Sequence, residues 1–192
     1  MRLFVAAEPA DAVRAEAAAA VERLRERLDI VHASRGIRWV APENMHLTVW
    51  FLGEVSDARS AAVLDAMRAP LAIPAFDLHL AGFGAFPPSG PPRVLWMGVT
   101  QGLDELSRAH DEVGERLRPW GFPSESRAYS AHLTIGRVKE PPAVPARAAL
   151  RQALAYVHAD AGACRVEELT MFRSRTSPKG AVYERLLRVP LG

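Results

Sequence analysis

Apolar positions along this chain change period several times, and each change marks an element. From Pro9 to about Leu28 they recur every three or four residues (Val13, Ala17, Val21, Leu24, Leu28), which predicts a helix with proline in its first turn. Further helices are predicted over Asp57–Ala69, stopped by Pro70, over Leu103–Trp120 and over Pro145–Val157. The Leu103–Trp120 helix carries Leu103, Leu106, Val113 and Leu117 on one face and Gly121 as its C-terminal cap. Short apolar or alternating runs predict strands at Arg2–Ala7, Ile37–Val40, Met45–Leu52, Phe76–Leu80, Val94–Val99 and Ala131–Val138. Cys164–Phe172 and Val182–Val189 read as a terminal hairpin joined by "SPKG". "APEN" (Ala41–Asn44) is a turn, and the proline-rich "AFPPSGPP" (Ala85–Pro92) is a loop. Strands interspersed with helices, several of them adjacent in sequence, predict an α+β fold with antiparallel or mixed sheets, not a doubly wound parallel sheet.

One pattern occurs twice. "MHLTVW" (Met45–Trp50) and "AHLTIG" (Ala131–Gly136) share His-Leu-Thr-apolar. Side chains alternate along a strand, so His46 and Thr48 share one face, and His132 and Thr134 do the same in the second copy. The intervening leucines point the other way and anchor each strand. With ordinary residue frequencies a histidine is followed by Leu-Thr roughly once in 200, and two such events among six histidines have odds of roughly one in a few thousand. The copies lie about half the chain apart, the pattern of two pseudo-symmetric lobes whose motif strands meet near a pseudo-two-fold axis. Two imidazoles across a gap, flanked by two hydroxyls, suit phosphodiester cleavage. One imidazole takes a proton from the attacking oxygen, the other gives one to the leaving oxygen, and the hydroxyls donate to the non-bridging oxygens.

Composition alters this reading little. The formal charge of +2 leaves a weakly basic chain, whose cations are almost all arginine, with lysine only at 139 and 179. Arginine suits phosphate, although GC-rich codon usage explains most of the excess. The single cysteine, Cys164, excludes an internal disulfide and a cysteine metal cluster and fits a reducing cytoplasm. The first residues read as a strand and not a signal peptide, no apolar stretch reaches membrane-spanning length, and no glycine-rich phosphate loop is present. A zinc site lacks a third ligand at conventional spacing, and a Ser-His-Asp triad lacks a nucleophile elbow. His32, His79, His110 and His158 have no partner motif and read as surface or structural. By parity Arg137 falls on the face opposite His132 and reaches the site only if the strand bends near Gly136.

The two motifs with their flanks resemble the 2H phosphoesterase superfamily, and more narrowly its RNA 2',3'-cyclic phosphodiesterases, also called 2'-5' RNA ligase-like proteins. "RLFVAAEP", "IRWVAPENMHLTVWFLGEV", "FGAFPPSGPPRVLWMGV", "AHLTIGRV" and "ELTMFRSRTSPKGAVYERLLRVPL" carry the likeness nearly end to end. The resemblance implies a bilobal α+β domain over residues 1–192, with a central cleft, outer helices and one motif per lobe (46–49 and 132–135). It implies metal-independent, cofactor-free opening of a 2',3'-cyclic phosphate to a 2'-phosphomonoester. Reversible 2'-5' ligation in vitro would be the reverse reaction. Carried over, His46 is the general acid, His132 the general base, and Thr48, Thr134 and Arg137 bind the phosphate. Phe4 could stack on a base, with a core role the alternative. The expected partners are RNA ends or nucleotides bearing the cyclic phosphate, with no membrane, for a monomer in the cytoplasm. Rival readings are a 2H enzyme for a small cyclic nucleotide, ADP-ribose cyclic phosphate or 2'-5' oligoadenylate, and an RNA-end binding module with little turnover. Specificity is assigned to loops such as Ala85–Pro92 and Ser124–Ala128.

Overall fold

The computed structural model describes residues 1–122, 128–140, 143–177 and 180–192. Strand β1 (Arg2–Ala7) leads into helix α1 (Asp11–Ile30), followed by the short β2 (Ile37–Trp39), a 3-10 turn at Pro42–Asn44, β3 (Leu47–Glu54) and α2 (Asp57–Ala66). The chain continues as β4 (Phe76–Phe86), β5 (Val94–Gln101), α3 (Leu103–Leu117), β6 (His132–Val138), α4 (Val144–Tyr156), β7 (Asp160–Val166), β8 (Glu168–Ser177) and β9 (Gly180–Pro190). The apolar stripe of α1 is buried as its spacing predicts. Helix α3 ends in a 3-10 turn capped by Gly121 in the left-handed conformation, while Leu103, at its first residue, stays exposed.

Among the described residues, nine strands join one sheet in which every strand pair is antiparallel. Its order is β7-β4-β5-β6-β3-β1-β8-β9, with β2 added beside β6. The two motif strands, β6 and β3, are the central neighbours, and from them the order runs outward symmetrically: β5, β4, β7 on one side and β1, β8, β9 on the other. The expected two halves therefore exist as halves of a single curved sheet. The helices cross over: α1, which follows β1, packs on β7 and α4, whereas α3, which follows β5, packs on β3 and α2. One face of the sheet is thereby covered by a continuous apolar core that includes Leu3, Val5, Leu47, Leu95, Leu133 and Leu169. The other face is open at its centre, and there Phe4, Ala6, Phe172 and Tyr183 form a separate small cluster.

Three elements differ from the sequence reading. Helix α2 ends at Ala66, before Pro70 is reached. Cys164–Phe172 is not one strand, because the chain breaks at Glu167. β7 before the break pairs with β4, and β8 after it pairs with β1 and β9. A continuous β-prone run conceals the break because both pieces are half-buried. β4 also runs on to Phe86, so the first two residues of the proline-rich loop belong to the sheet. The turn residues Pro178 and Lys179 of "SPKG", and most of the Ser124–Ala128 loop, lie outside the described residues.

Candidate active site

The two copies meet at their equivalent leucines. β3 and β6 pair at Leu47 opposite Leu133, the residue between His and Thr in each motif. Both leucines are fully buried in the core, so His46, Thr48, His132 and Thr134 are turned to the open face.

A bulge after each threonine shapes the rest of the site. Along β1 and β3, Val5 is opposite Trp50 and Ala6 opposite Thr48, which leaves Val49 as an extra residue. Along β5 and β6, Leu95 is opposite Gly136 and Trp96 opposite Thr134, leaving Ile135 extra. Val49 and Trp50 are consecutively buried, as are Ile135 and Gly136. An extra residue reverses the alternation beyond it. The fifth residue after each histidine, Phe51 in one copy and Arg137 in the other, is thus returned to the open face. This corrects the parity argument: Arg137 lies on the same side as His132, and it lines one cavity with His46, Thr48 and Thr134. A glycine at 136 suits the bulge, because a Cβ there would lie 3.3 Å from both Ile37 and Trp39.

That cavity has a volume of about 410 Å³. Phe4, Phe51, Asn44 and Tyr183 also line it. His132 stands beside it on the same strand face, two residues before Thr134, and is not among its lining residues. Each imidazole is oriented by the same device. His46 Nδ1 is 2.8 Å from the carbonyl oxygen of Asn44, and His132 Nδ1 is 2.7 Å from that of Ser130. A carbonyl only accepts, so Nδ1–H is the donor in both and each neutral ring keeps its Nε2 lone pair free. Asn44 is itself held by its side-chain Nδ2–H, which donates to the Ala181 carbonyl of β9 at 3.0 Å. His46 is clamped further by the Phe4 ring stacked on it at 4.8 Å and the Tyr183 ring edge-on at 5.1 Å. Phe4 is buried, as the core reading expects, and it also lines the cavity with its ring stacked on His46. Phe86 meets the His132 ring edge-on at 5.0 Å.

Burial lowers the pKa of both histidines below the ordinary imidazole value. The Asn44 and Ser130 carbonyls oppose that shift, while Arg137 adds to it at both rings. The rings differ in one respect: the Glu8 carboxylate favours the charged form of His46 alone. Burial disfavours ionisation of Glu8. Its bonds from Arg185 (Nη2 at 2.6 Å) and the Thr170 hydroxyl (3.0 Å) outweigh that, leaving its carboxyl below the usual range. The charge of His132 further opposes protonation of His46. Such a pair can take a proton on one side of a bound phosphodiester and give one on the other. Among the described residues no group of three or more His, Cys, Asp and Glu side chains is placed to hold a metal ion.

The other histidines have separate contacts. His79 pairs with Asp160 at 2.8 Å, and His110 is stacked between Trp50 and Tyr129. The Tyr129 hydroxyl donates to the Thr48 carbonyl at 3.1 Å, so this stack supports the first motif strand from behind. Sequence reasoning missed Asn44, Glu8 and Tyr183. The last two are remote from either motif, and no local pattern marks them. The bulges did leave a signal, since each threonine is followed by two non-polar residues in succession where a regular strand would alternate.

A family model described as the 2'-5' RNA ligase superfamily matches residues 9–178. The chain is 34% identical to a protein of Archaeoglobus fulgidus named RNA 2',3'-cyclic phosphodiesterase, over 97% of this chain and 98% of that one. It is 36% identical to a Thermotoga maritima protein of the same name, over 72% and 71%. Among solved structures, TT0787 of Thermus thermophilus superposes with a TM-score of 0.76 at 29% identity, covering 100% of this chain and 98% of that one. E. coli LigT complexed with 3'-AMP superposes with a TM-score of 0.68 at 27% identity, covering 99% and 97%.

Proposed function

The chain belongs to the 2'-5' RNA ligase superfamily, and from that membership we propose that it is an RNA 2',3'-cyclic phosphodiesterase, opening a terminal cyclic phosphate to a 2'-phosphomonoester without a metal. The observation that carries the reading is the meeting of the two motifs at Leu47 and Leu133, with each imidazole fixed by an Nδ1–H bond to a carbonyl two residues before it. In the reaction His132 Nε2 takes a proton from water as the water oxygen bonds to phosphorus. The bond from phosphorus to the 3' oxygen breaks, and that oxygen takes a proton from His46 Nε2. One water is consumed, a 3'-hydroxyl and a 2'-phosphomonoester form, and proton exchange with solvent resets the rings. Glu8 beside His46 supports this assignment, since it favours the proton on the acid. The Thr48 and Thr134 hydroxyls and Arg137 hold the non-bridging oxygens. The negative charge of the arriving phosphate raises both histidine pKa values, offsetting the effect of burial.

The unit proposed is residues 1–192 acting as one cleft. One chain supplies both histidines, so the reading needs no second copy, and a monomer in the cytoplasm fits the single free, half-buried Cys164. No helix among the described residues is long and apolar enough to cross a membrane. The test is incubation with RNA ending in a 2',3'-cyclic phosphate in excess chelator, with identification of the product. A 2'-phosphate is expected. A 3'-phosphate, or activity that returns only with a divalent ion, would contradict the proposal.

A further inference from the structure

Beside the cavity that holds His46 lies a second one of about 470 Å³, and Arg137, Asn44, Thr176 and Tyr183 line both. Its far side is formed by Arg38 on β2. Arg38 and Arg137 are direct cross-strand partners on β2 and β6, the placement that sets side chains about 5 Å apart at Cβ. Like charges directly opposite each other are destabilising unless something neutralises them. Nothing among the described residues does, because neither arginine has a carboxylate within ion-pair distance. Along the second cavity the carboxylate among the described lining residues is that of the exposed Glu43, which lies beyond ion-pair distance of Arg38 and Arg137. The Tyr183 phenol lies within electrostatic reach of Arg137 and Arg38 together, which places it between the two cavities.

The other arm of the sheet differs. There the position equivalent to Arg137 is Phe51, 49% exposed, with the Arg2 guanidinium over its ring at 5.5 Å. A nearly symmetric pair of motifs thus opens onto an anionic-ligand side and an aromatic side. A substrate with a single phosphate uses Arg137 alone and leaves Arg38 opposed to it without a counter-charge.

We propose that Arg38, seconded by Arg137, forms a subsite for a second phosphate of the substrate, the one attached through the 5' oxygen of the nucleoside that carries the cyclic phosphate. The proposal rests on the reading of the cleft given above and deepens it. The site is built for a nucleotide chain, and a bare nucleoside cyclic phosphate fills only half of it. A guanidinium meets a phosphate diester with paired N–H donors, and the contact releases counterions, so it adds to the salt dependence of binding.

The experiment compares wild type with Arg38→Gln on four substrates. These are adenosine 2',3'-cyclic phosphate, its 5'-phosphorylated form, the dinucleotide ApA ending in the same cyclic phosphate, and that dinucleotide with an uncharged methylphosphonate linkage. Wild type should prefer ApA to the bare mononucleotide and lose that preference with the methylphosphonate. Arg38→Gln should lower kcat/KM on ApA about 10–100-fold, the range of one charge-assisted contact, and leave the bare mononucleotide unchanged. Its salt slope on ApA should be shallower by about 0.7. Equal performance of the 5'-phosphorylated mononucleotide would assign the subsite to any 5'-linked phosphate, and poor performance to the internal diester. A methylphosphonate cleaved as well as ApA by wild type, which needs no variant to fold, would overturn the proposal. So would an equal loss, or no loss, by Arg38→Gln on ApA and the mononucleotide. A wild type inert on all four substrates would instead contradict the proposed function.

Discussion

Gly84→Ala is expected to act through packing on one catalytic histidine. Gly84 is opposite Trp96 on the β4–β5 ladder, and a Cβ on it would lie 2.2 Å from Trp96 Cζ2 and 2.3 Å from Cη2. Ordinary contact begins at 3.4 Å, so the indole must retreat by about 1 Å. Its Nε1–H has no hydrogen-bond partner among the described residues, so packing alone holds the ring. The displaced ring abuts Phe86, whose centroid is 5.4 Å away, and Phe86 in turn abuts His132 at 5.0 Å. Overpacking of this kind costs about 1–3 kcal/mol, against which the stiffer unfolded chain gives back about 0.4–1 kcal/mol. A net loss of about 1–2 kcal/mol lowers Tm by about 2–8 °C for a chain of this size. A reacting group displaced by about 1 Å can lose as much as 10²-fold in rate, so kcat/KM should fall about 10–100-fold. Thermal melts and steady-state assays on the cyclic phosphate read both effects. Trp96→Phe substitutes a shorter ring, and the double variant should recover most of the stability and rate, a non-additive pairing. A Gly84→Ala protein indistinguishable from wild type, or a double variant as poor as the two losses summed, would refute the chain of contacts from Gly84 to His132.

Other expectations follow from the same geometry. Because burial lowers both histidine pKa values, the kcat/KM optimum of the free enzyme should lie below the ordinary imidazole pKa of about 6.5. Glu8→Gln removes the carboxylate that favours protonated His46, so the alkaline limb should move to lower pH while the acidic limb, set by His132, stays in place. A limb that does not move would remove Glu8 from the account. The same two shifts affect stability. Histidines that bind protons less readily folded than unfolded contribute stability that is present above about pH 6.5 and lost as pH falls below it. Chemical denaturation across pH 5–7 should show that slope, and His46→Asn with His132→Asn should flatten it. Thr48→Ala and Thr134→Ala should each weaken phosphate binding by about 1 kcal/mol without displacing either pH limb, as inhibition by inorganic phosphate would show.

The duplicated His-Leu-Thr string made the centre of the fold legible, because strand alternation alone sets the histidine and threonine on one face and the leucine in the core. The stripe of α1 was legible for the same kind of reason, a regular period. Arg137 was misplaced because alternation fails at a bulge, and a bulge is a property of two paired strands. Ile135 is extra only with respect to Leu95 and Trp96. Glu8 and Tyr183 were hidden because antiparallel pairing brings the end of β1 to the first motif, and brings β9 there across most of the chain length. The break at Glu167 escaped notice because both pieces are strand-forming and only the choice of partner, β4 or β1, separates them.

The most direct test of two-histidine acid–base chemistry removes the need for one proton. The substrate is a phosphodiester whose leaving group is p-nitrophenolate, which departs without protonation, assayed in chelator beside the RNA cyclic phosphate. His46→Ala and His132→Ala should each lose roughly 10²–10⁴-fold on the cyclic phosphate. On the p-nitrophenyl ester His46→Ala should approach wild type and His132→Ala should stay impaired. Rescue of His132→Ala in place of His46→Ala would exchange the two roles, and rescue of neither would contradict acid–base catalysis by this pair.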